Sequence, residues 1–88
     1  MEEIEVLRKQ IDIIDQMIVK QFCERLIVCR KIGEVKKNNK ITIEDLNREA
    51  AVLKRLADFC DDERSEFVGE LYREIFRLCK KYQIESLK

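Results

Sequence analysis

The sequence predicts an all-α domain of three helices, long then short then medium, and three observations carry that prediction. The chain has no proline and only two glycines in 88 residues, so strong helix breakers are scarce. Apolar residues recur at three- and four-residue spacing along nearly the whole length, which is the period of one helix face. The composition joins 45% hydrophobic to 41% charged residues, a mixture that suits long amphipathic helices and argues against disorder.

The first helix is predicted from Glu2 to about Lys37, with Ile4, Leu7, Ile11, Ile14, Ile18, Phe22, Leu26 and Cys29 in helical register. That is longer than an ordinary globular helix and suggests a coiled-coil-like pairing or an intertwined dimer. A small chain also gains core by oligomerising. Within this helix Ile18, Phe22, Arg25, Cys29, Ile32 and Lys36 form one seam that is apolar except for its two cations. An unpaired charge on a covered seam is costly. Either the seam is solvated at Arg25 and Lys36, or an anion sits there. Their Cα atoms lie roughly 16 Å apart along the helix, so two long side chains can lean toward one ligand over Ile32. Gly33 interrupts the pattern, and two explanations stay open: close approach by another backbone, or tolerance near a helix end.

Lys37-Asn38-Asn39-Lys40 ends the helix, because asparagine competes for local backbone hydrogen bonds. Ile41-Thr42-Ile43 is too short for a secure strand. Asp45 can cap a second helix that opens with Leu46-Asn47-Arg48, with Thr42 as a competing start. Leu46, Ala50, Leu53, Ala57 and Cys60 give its stripe, and it ends near Phe59. Asp61-Asp62-Glu63 suits the start of the third helix. There Val68, Leu71, Ile75, Leu78 and Tyr82 share a face, with Tyr72, Phe76, Cys79 and Gln83 beside it. Residues 1–88 thus read as a single domain.

Eighteen basic residues balance eighteen acidic ones, so no basic excess points to nucleic acid or an anionic membrane, and any anion site is local. The acidic start and the short apolar runs, none longer than Leu26 to Cys29, fit neither a signal peptide nor a membrane span. A soluble, cytoplasmic protein is expected. Cys23, Cys29, Cys60 and Cys79 form no C-x-x-C pair and the chain has no histidine, so no metal site is expected. The cysteines read as small buried hydrophobes in a reducing compartment, least securely at Cys79.

Three polar clusters lie on or beside these faces. Arg25 and Lys36, eleven residues apart, are only about 20° apart around the first helix. Asp45, Arg48 and Glu49 share a face of the second, and Phe76, Cys79 and Gln83 a face of the third. Each has a plain alternative: Arg25 pairs with Glu49 or reaches solvent, Asp45 is only a cap, Arg48 and Glu49 are a solvated turn, and Gln83 is a frayed end. Arg8 lies roughly 25 Å from Arg25 along a straight helix and about 100° round it. One chain could hardly bring both onto one small ligand, but an antiparallel pairing of two such helices could.

Leu7-Arg8, Ile11-Asp12, Ile14-Asp15, Glu24-Arg25, Ile32-Gly33 with Lys36, Asp45 with Arg48-Glu49, and the stretch from Tyr72 to Gln83 together resemble the all-helical chorismate mutases. The resemblance runs from about Leu7 to Gln83 and rests on the joint order and spacing, since no single motif is diagnostic. It implies two three-helix chains intertwined through their first helices, and a Claisen rearrangement of chorismate to prephenate in phenylalanine and tyrosine biosynthesis. It further implies that Arg25 and the second chain's Arg8 bind the two substrate carboxylates, with Arg48 supporting the anion site. Lys36 and Gln83 would donate to the ether oxygen, and Glu49 with the backbone around Asp45 would hold the ring hydroxyl. Ile32 and Phe76 would pack on the substrate. Cys79 stands where relatives commonly carry a serine that helps hold a carboxylate, and a thiol is a weaker donor.

The chemistry agrees with that implication. A pericyclic rearrangement needs no nucleophile, metal, cofactor or proton transfer, so a chain without histidine is no worse equipped. It needs a flexible dianion held in its reactive conformer and donors aimed at the oxygen that gains charge. An isochorismate pyruvate lyase of the same fold is the nearest alternative, weakly disfavoured by the presence of both Asp45 and Glu49. A non-catalytic helical dimerisation module is the alternative of another class, and it leaves Arg25 and Lys36 unexplained.

Overall fold

A computed structural model describes residues Met1–Lys88 as α1 (Glu2–Asn38), α2 (Leu46–Leu56) with a 3-10 turn over Ala57–Phe59, and α3 (Asp62–Ser86). The boundaries have local causes. Glu2, Glu3 and Glu5 sit in the first turn of α1 and Lys36 and Lys37 in its last, each complementing the helix dipole. Asn39 closes α1 by donating from Nδ2 to the Val35 carbonyl at 2.8 Å, and Lys40 turns the chain with a φ of 57°. Asp45, rather than Thr42, caps α2: its Oδ1 accepts from the Arg48 N–H at 3.0 Å. Asp61 does the same for α3 through the Arg64 N–H at 2.9 Å.

Helices α1 and α3 run parallel in direct contact, and α2 packs against α3. The register is visible in successive contacts: Arg25 lies over Tyr72 and Phe76, Cys29 is joined to Cys79, Gly33 meets Gln83 and Leu87, and Lys37 donates from Nζ to the Leu87 carbonyl at 2.6 Å. The closest approach is at Gly33. A Cβ there would lie 2.8 Å from Leu87 Cδ1 and 3.1 Å from Gln83 Cγ, so close packing, not tolerance near an end, accounts for this glycine.

The buried residues are Cys29, Gly33, Phe76 and Gln83, a narrow strip between α1 and α3. Every residue before Phe22 is exposed. That first half of α1 carries Ile4, Leu7, Ile11, Ile14 and Ile18 into solvent, and Leu46 and Leu71, on predicted apolar stripes, are also exposed in the single chain. At about 1.5 Å per residue α1 is about 55 Å long, and the largest dimension of the chain is 56 Å. One helix therefore sets the length of the molecule, and roughly half of it has no cover. No helix is long and apolar enough to cross a membrane.

The cysteines depart from expectation. Cys29 and Cys79 form a disulfide between α1 and α3, with Cα atoms 6.2 Å apart, so they are not two free thiols. Cys23 is exposed rather than buried, and Cys60 is half-buried with its thiol directed at the Leu56 carbonyl. Helical spacing along one chain carries no information on cross-helix register. That register places residues 29 and 79 opposite each other, one turn before the Gly33 contact.

Candidate functional site

Where the three helices and the segment before α2 converge they enclose a cavity of about 160 Å³. Helix α1 contributes Arg25, Cys29, Ile32 and Lys36, successive members of the seam, all on one side because they are four, three and four residues apart. The α2 end contributes Ile43, Asp45, Arg48, Glu49 and Val52, and α3 contributes Phe76, Cys79, Lys80 and Gln83. Every site residue predicted from the sequence lines this cavity except Arg8. Arg8 lies on the exposed half of α1, with its side chain 69% exposed and 3.4 Å from Glu5. The chain alone keeps Arg8 and Arg25 apart, as the helical geometry requires.

Arg25 is half-buried and oriented rather than neutralised. Its guanidinium lies 5.8 Å from the Tyr72 ring centre and 5.9 Å from that of Phe76, and Nη1 points at Cys29 Sγ at 3.3 Å. It makes no ion pair, so the simple pairing of Arg25 with Glu49 does not occur. Lys36, also half-buried, donates from Nζ to the Ile43 carbonyl at 2.9 Å and likewise has no carboxylate partner. This bond ties the segment before α2 back to α1. It uses one of three ammonium hydrogens.

Gln83 is no frayed end. It is 5% exposed, and its Nε2 donates to the Cys29 carbonyl at 2.7 Å, which fixes the amide and uses one of its two N–H groups. Beneath it Phe76 is buried and meets Tyr72 edge to face, with ring centres 6.0 Å apart. Asp45 is occupied at Oδ1 by its capping bond, and the Arg48 guanidinium one turn later is exposed and unpaired.

Sequence reasoning missed Lys80. Its Nζ lies 3.1 Å from Glu49 Oε2 and 3.2 Å from Glu44 Oε1, joining α3 to the start of α2. The hydrogen bond to Glu49 raises the Lys80 pKa above its ordinary value of 10.5, against the opposing effect of burial and with Glu44 adding to it. Lys80 is four residues after Phe76 and three before Gln83, so the spacing that grouped those two includes it. Ile43 and Val52 were also missed; they are apolar wall, indistinguishable by type from core.

The cavity thus carries four cations, Arg25, Lys36, Arg48 and Lys80, against two carboxylates, Asp45 and Glu49. A chain with no net charge concentrates a positive excess in one place, which suits a small dianion. Apart from Asp45 and Glu49 its polar side chains are donors, its two cysteines are joined to each other, and none of its residues is a histidine or serine. The arrangement can bind, orient and stabilise negative charge. It has no conventional nucleophile and base pair.

Comparison with known proteins points the same way. The family model for type II chorismate mutases matches residues 7–84. A 3-dehydroquinate dehydratase of Pyrobaculum aerophilum is similar, at 32% identity over 78 residues, covering 89% of this chain and 23% of that protein. A bifunctional chorismate mutase/prephenate dehydratase of Aquifex aeolicus is 31% identical over 84 residues, covering 90% of this chain and again 23% of the relative. The chain therefore spans about a quarter of the length of the curated relatives it matches. No solved structure matches it. With the family match spanning all three helices and the cavity between them, this chain belongs to the type II chorismate mutase family.

Proposed function

We propose that the chain is an isomerase that converts chorismate to prephenate, in the biosynthesis of phenylalanine and tyrosine. The observation that carries the reading is the cavity itself, where Arg25, Lys36 and Arg48 face inward or across its mouth with no carboxylate neutralising them. An enzyme for a dianion needs such unspent charge.

In this reading Arg25, held by Tyr72 and Phe76, anchors one substrate carboxylate while Arg48 supports the anion site, and Ile32 and Phe76 press on the ring. The Lys36 ammonium directs a free N–H at the ether oxygen, and the Gln83 amide supplies a second donor. As the C–O bond stretches, the oxygen gains charge against groups that are already oriented. Glu49 Oε1 accepts from the ring hydroxyl, with the backbone around Asp45 beside it. A millionfold acceleration corresponds to about 8 kcal/mol, within the range of conformer restriction and fixed donors combined. The Cys79 sulfur is bonded to Cys29, so it contributes wall rather than a thiol donor.

The same proposal includes a homodimer. A second copy laid antiparallel on the uncovered half of α1 covers Leu7, Ile11 and Ile14 and carries its own Arg8 to the second carboxylate. A cytoplasmic setting is part of it too. Disulfides are rare there outside hyperthermophiles, so the oxidised fraction of Cys29–Cys79 in freshly lysed cells bears on it directly.

Following chorismate absorbance with purified protein, and identifying prephenate as product, tests the reading. Turnover is expected. Salicylate and pyruvate from isochorismate, with no prephenate from chorismate, would instead identify a lyase. Inertness toward both substrates would leave only a dimerisation module.

A further inference from the structure

Lys80 stands on the cavity wall with a contact pattern unlike that of the other three cations, which have no carboxylate partner. Lys80 has two, Glu49 and Glu44. The side chains of Lys80 and Glu49 are only 28% and 23% exposed, so their contact is less screened by water than the helix-surface pairs elsewhere on the chain. It is also selective at the atomic level. Nζ meets Glu49 Oε2 and leaves Oε1 without a partner. The other lining carboxylate, Asp45, already accepts the Arg48 N–H as a helix cap.

Without Lys80, Glu49 has no cation partner on a wall whose remaining cations are Arg25, Lys36 and Arg48. The half-buried carboxylate would then be free to swing toward one of them, since a partly desolvated charge is drawn to a counter-ion. Each such pairing removes a group that the substrate dianion needs, and it turns Glu49 away from the ring hydroxyl. We propose that Lys80 is a positioning residue: it holds Glu49 by Oε2, which presents Oε1 to a hydroxyl of the bound substrate and keeps Glu49 from neutralising the anion-binding arginines. Glu44, on the other side of the ammonium, fixes Lys80 in turn and ties α3 to the segment before α2.

This inference rests on the mutase reading above and adds to it a residue acting through another. Its signature is on substrate binding and is conditional on Glu49. Lys80→Met is expected to raise KM for chorismate about tenfold with kcat changed less than about threefold, and Lys80→Arg to stay within about threefold of wild type in KM. In a Glu49→Gln background, where there is no carboxylate to misplace, adding Lys80→Met is expected to change KM by less than about twofold. Thermal unfolding of each variant is followed so that KM is read on folded protein. If Lys80→Met does not fold, Lys80→Gln, neutral and polar, takes its place with the same expected split. A KM within about twofold of wild type for the neutral variant, or an equal penalty in both backgrounds, overturns the positioning role while leaving the mutase reading intact. Wild-type protein that fails to convert chorismate overturns both.

Discussion

At the scale of single residues the site is governed by which charges are already satisfied. Arg25 has aromatic rings and a sulfur beside it, Lys36 has a carbonyl, and neither has an anion. Their orientation is therefore fixed before substrate arrives, and their charge is still available. Lys36 is the cation assigned to the oxygen that gains charge, so its removal acts on the transition state more than on binding. Lys36→Ala is expected to lower kcat at least about a hundredfold in the prephenate assay, and near-normal turnover would remove the electrostatic mechanism. Gln83 is neutral at every working pH, so activity needs no acidic medium to protonate that position.

At the scale of elements, the α1–α3 seam holds both walls of the cavity. Two features set its width. Gly33 lets α3 approach so closely that Gln83 reaches the Cys29 carbonyl, and the disulfide joins the same two helices one turn earlier. Gly33→Ala gains about 1 kcal/mol of helix propensity but places a methyl group against Gln83 and Leu87. The Leu87 contact is the tip of a flexible side chain and can swing aside; the buried Gln83 cannot. A net loss of about 1 kcal/mol in urea unfolding is expected, with a larger relative loss of turnover because Gln83 is displaced. The disulfide spans a separation of 50 residues. Loop closure on that scale is worth about 4 kcal/mol in the chain-entropy model, so Cys29→Ala or a strong reductant is expected to lower stability by up to that amount. Unchanged unfolding midpoints with and without reductant would show that the bond does not form in solution.

At the scale of the whole molecule, one chain has too little interior. Four buried residues and a first helix exposed over its first half describe a folding unit that lacks its partner. The proposed second copy supplies core and Arg8 together, which makes oligomeric state and activity inseparable. Arg8→Ala and Arg25→Ala proteins, each nearly inactive alone, are expected to regain about a quarter of wild-type activity when unfolded together and refolded as an equal mixture. Half of the dimers are then mixed, and one of the two sites in each has both arginines. No recovery on mixing would place Arg8 outside the site, and light scattering on the same samples reports whether dimers formed.

The helices, the Asp45 cap, the acidic start of α3 at Asp61-Asp62-Glu63, and the cationic seam of α1 were legible in the amino-acid order because they depend on neighbours within about one turn. The grouping of Asp45 with Arg48 and Glu49, and of Phe76 with Cys79 and Gln83, follows from the same short-range period. What joins different helices was not legible. The Cys29–Cys79 bond, the close approach at Gly33, the burial of Gln83 and the capture of Glu49 by Lys80 rather than Arg25 all depend on the parallel register of α1 against α3. That register is decided by packing between residues some 50 positions apart, and no periodicity within a single helix encodes it.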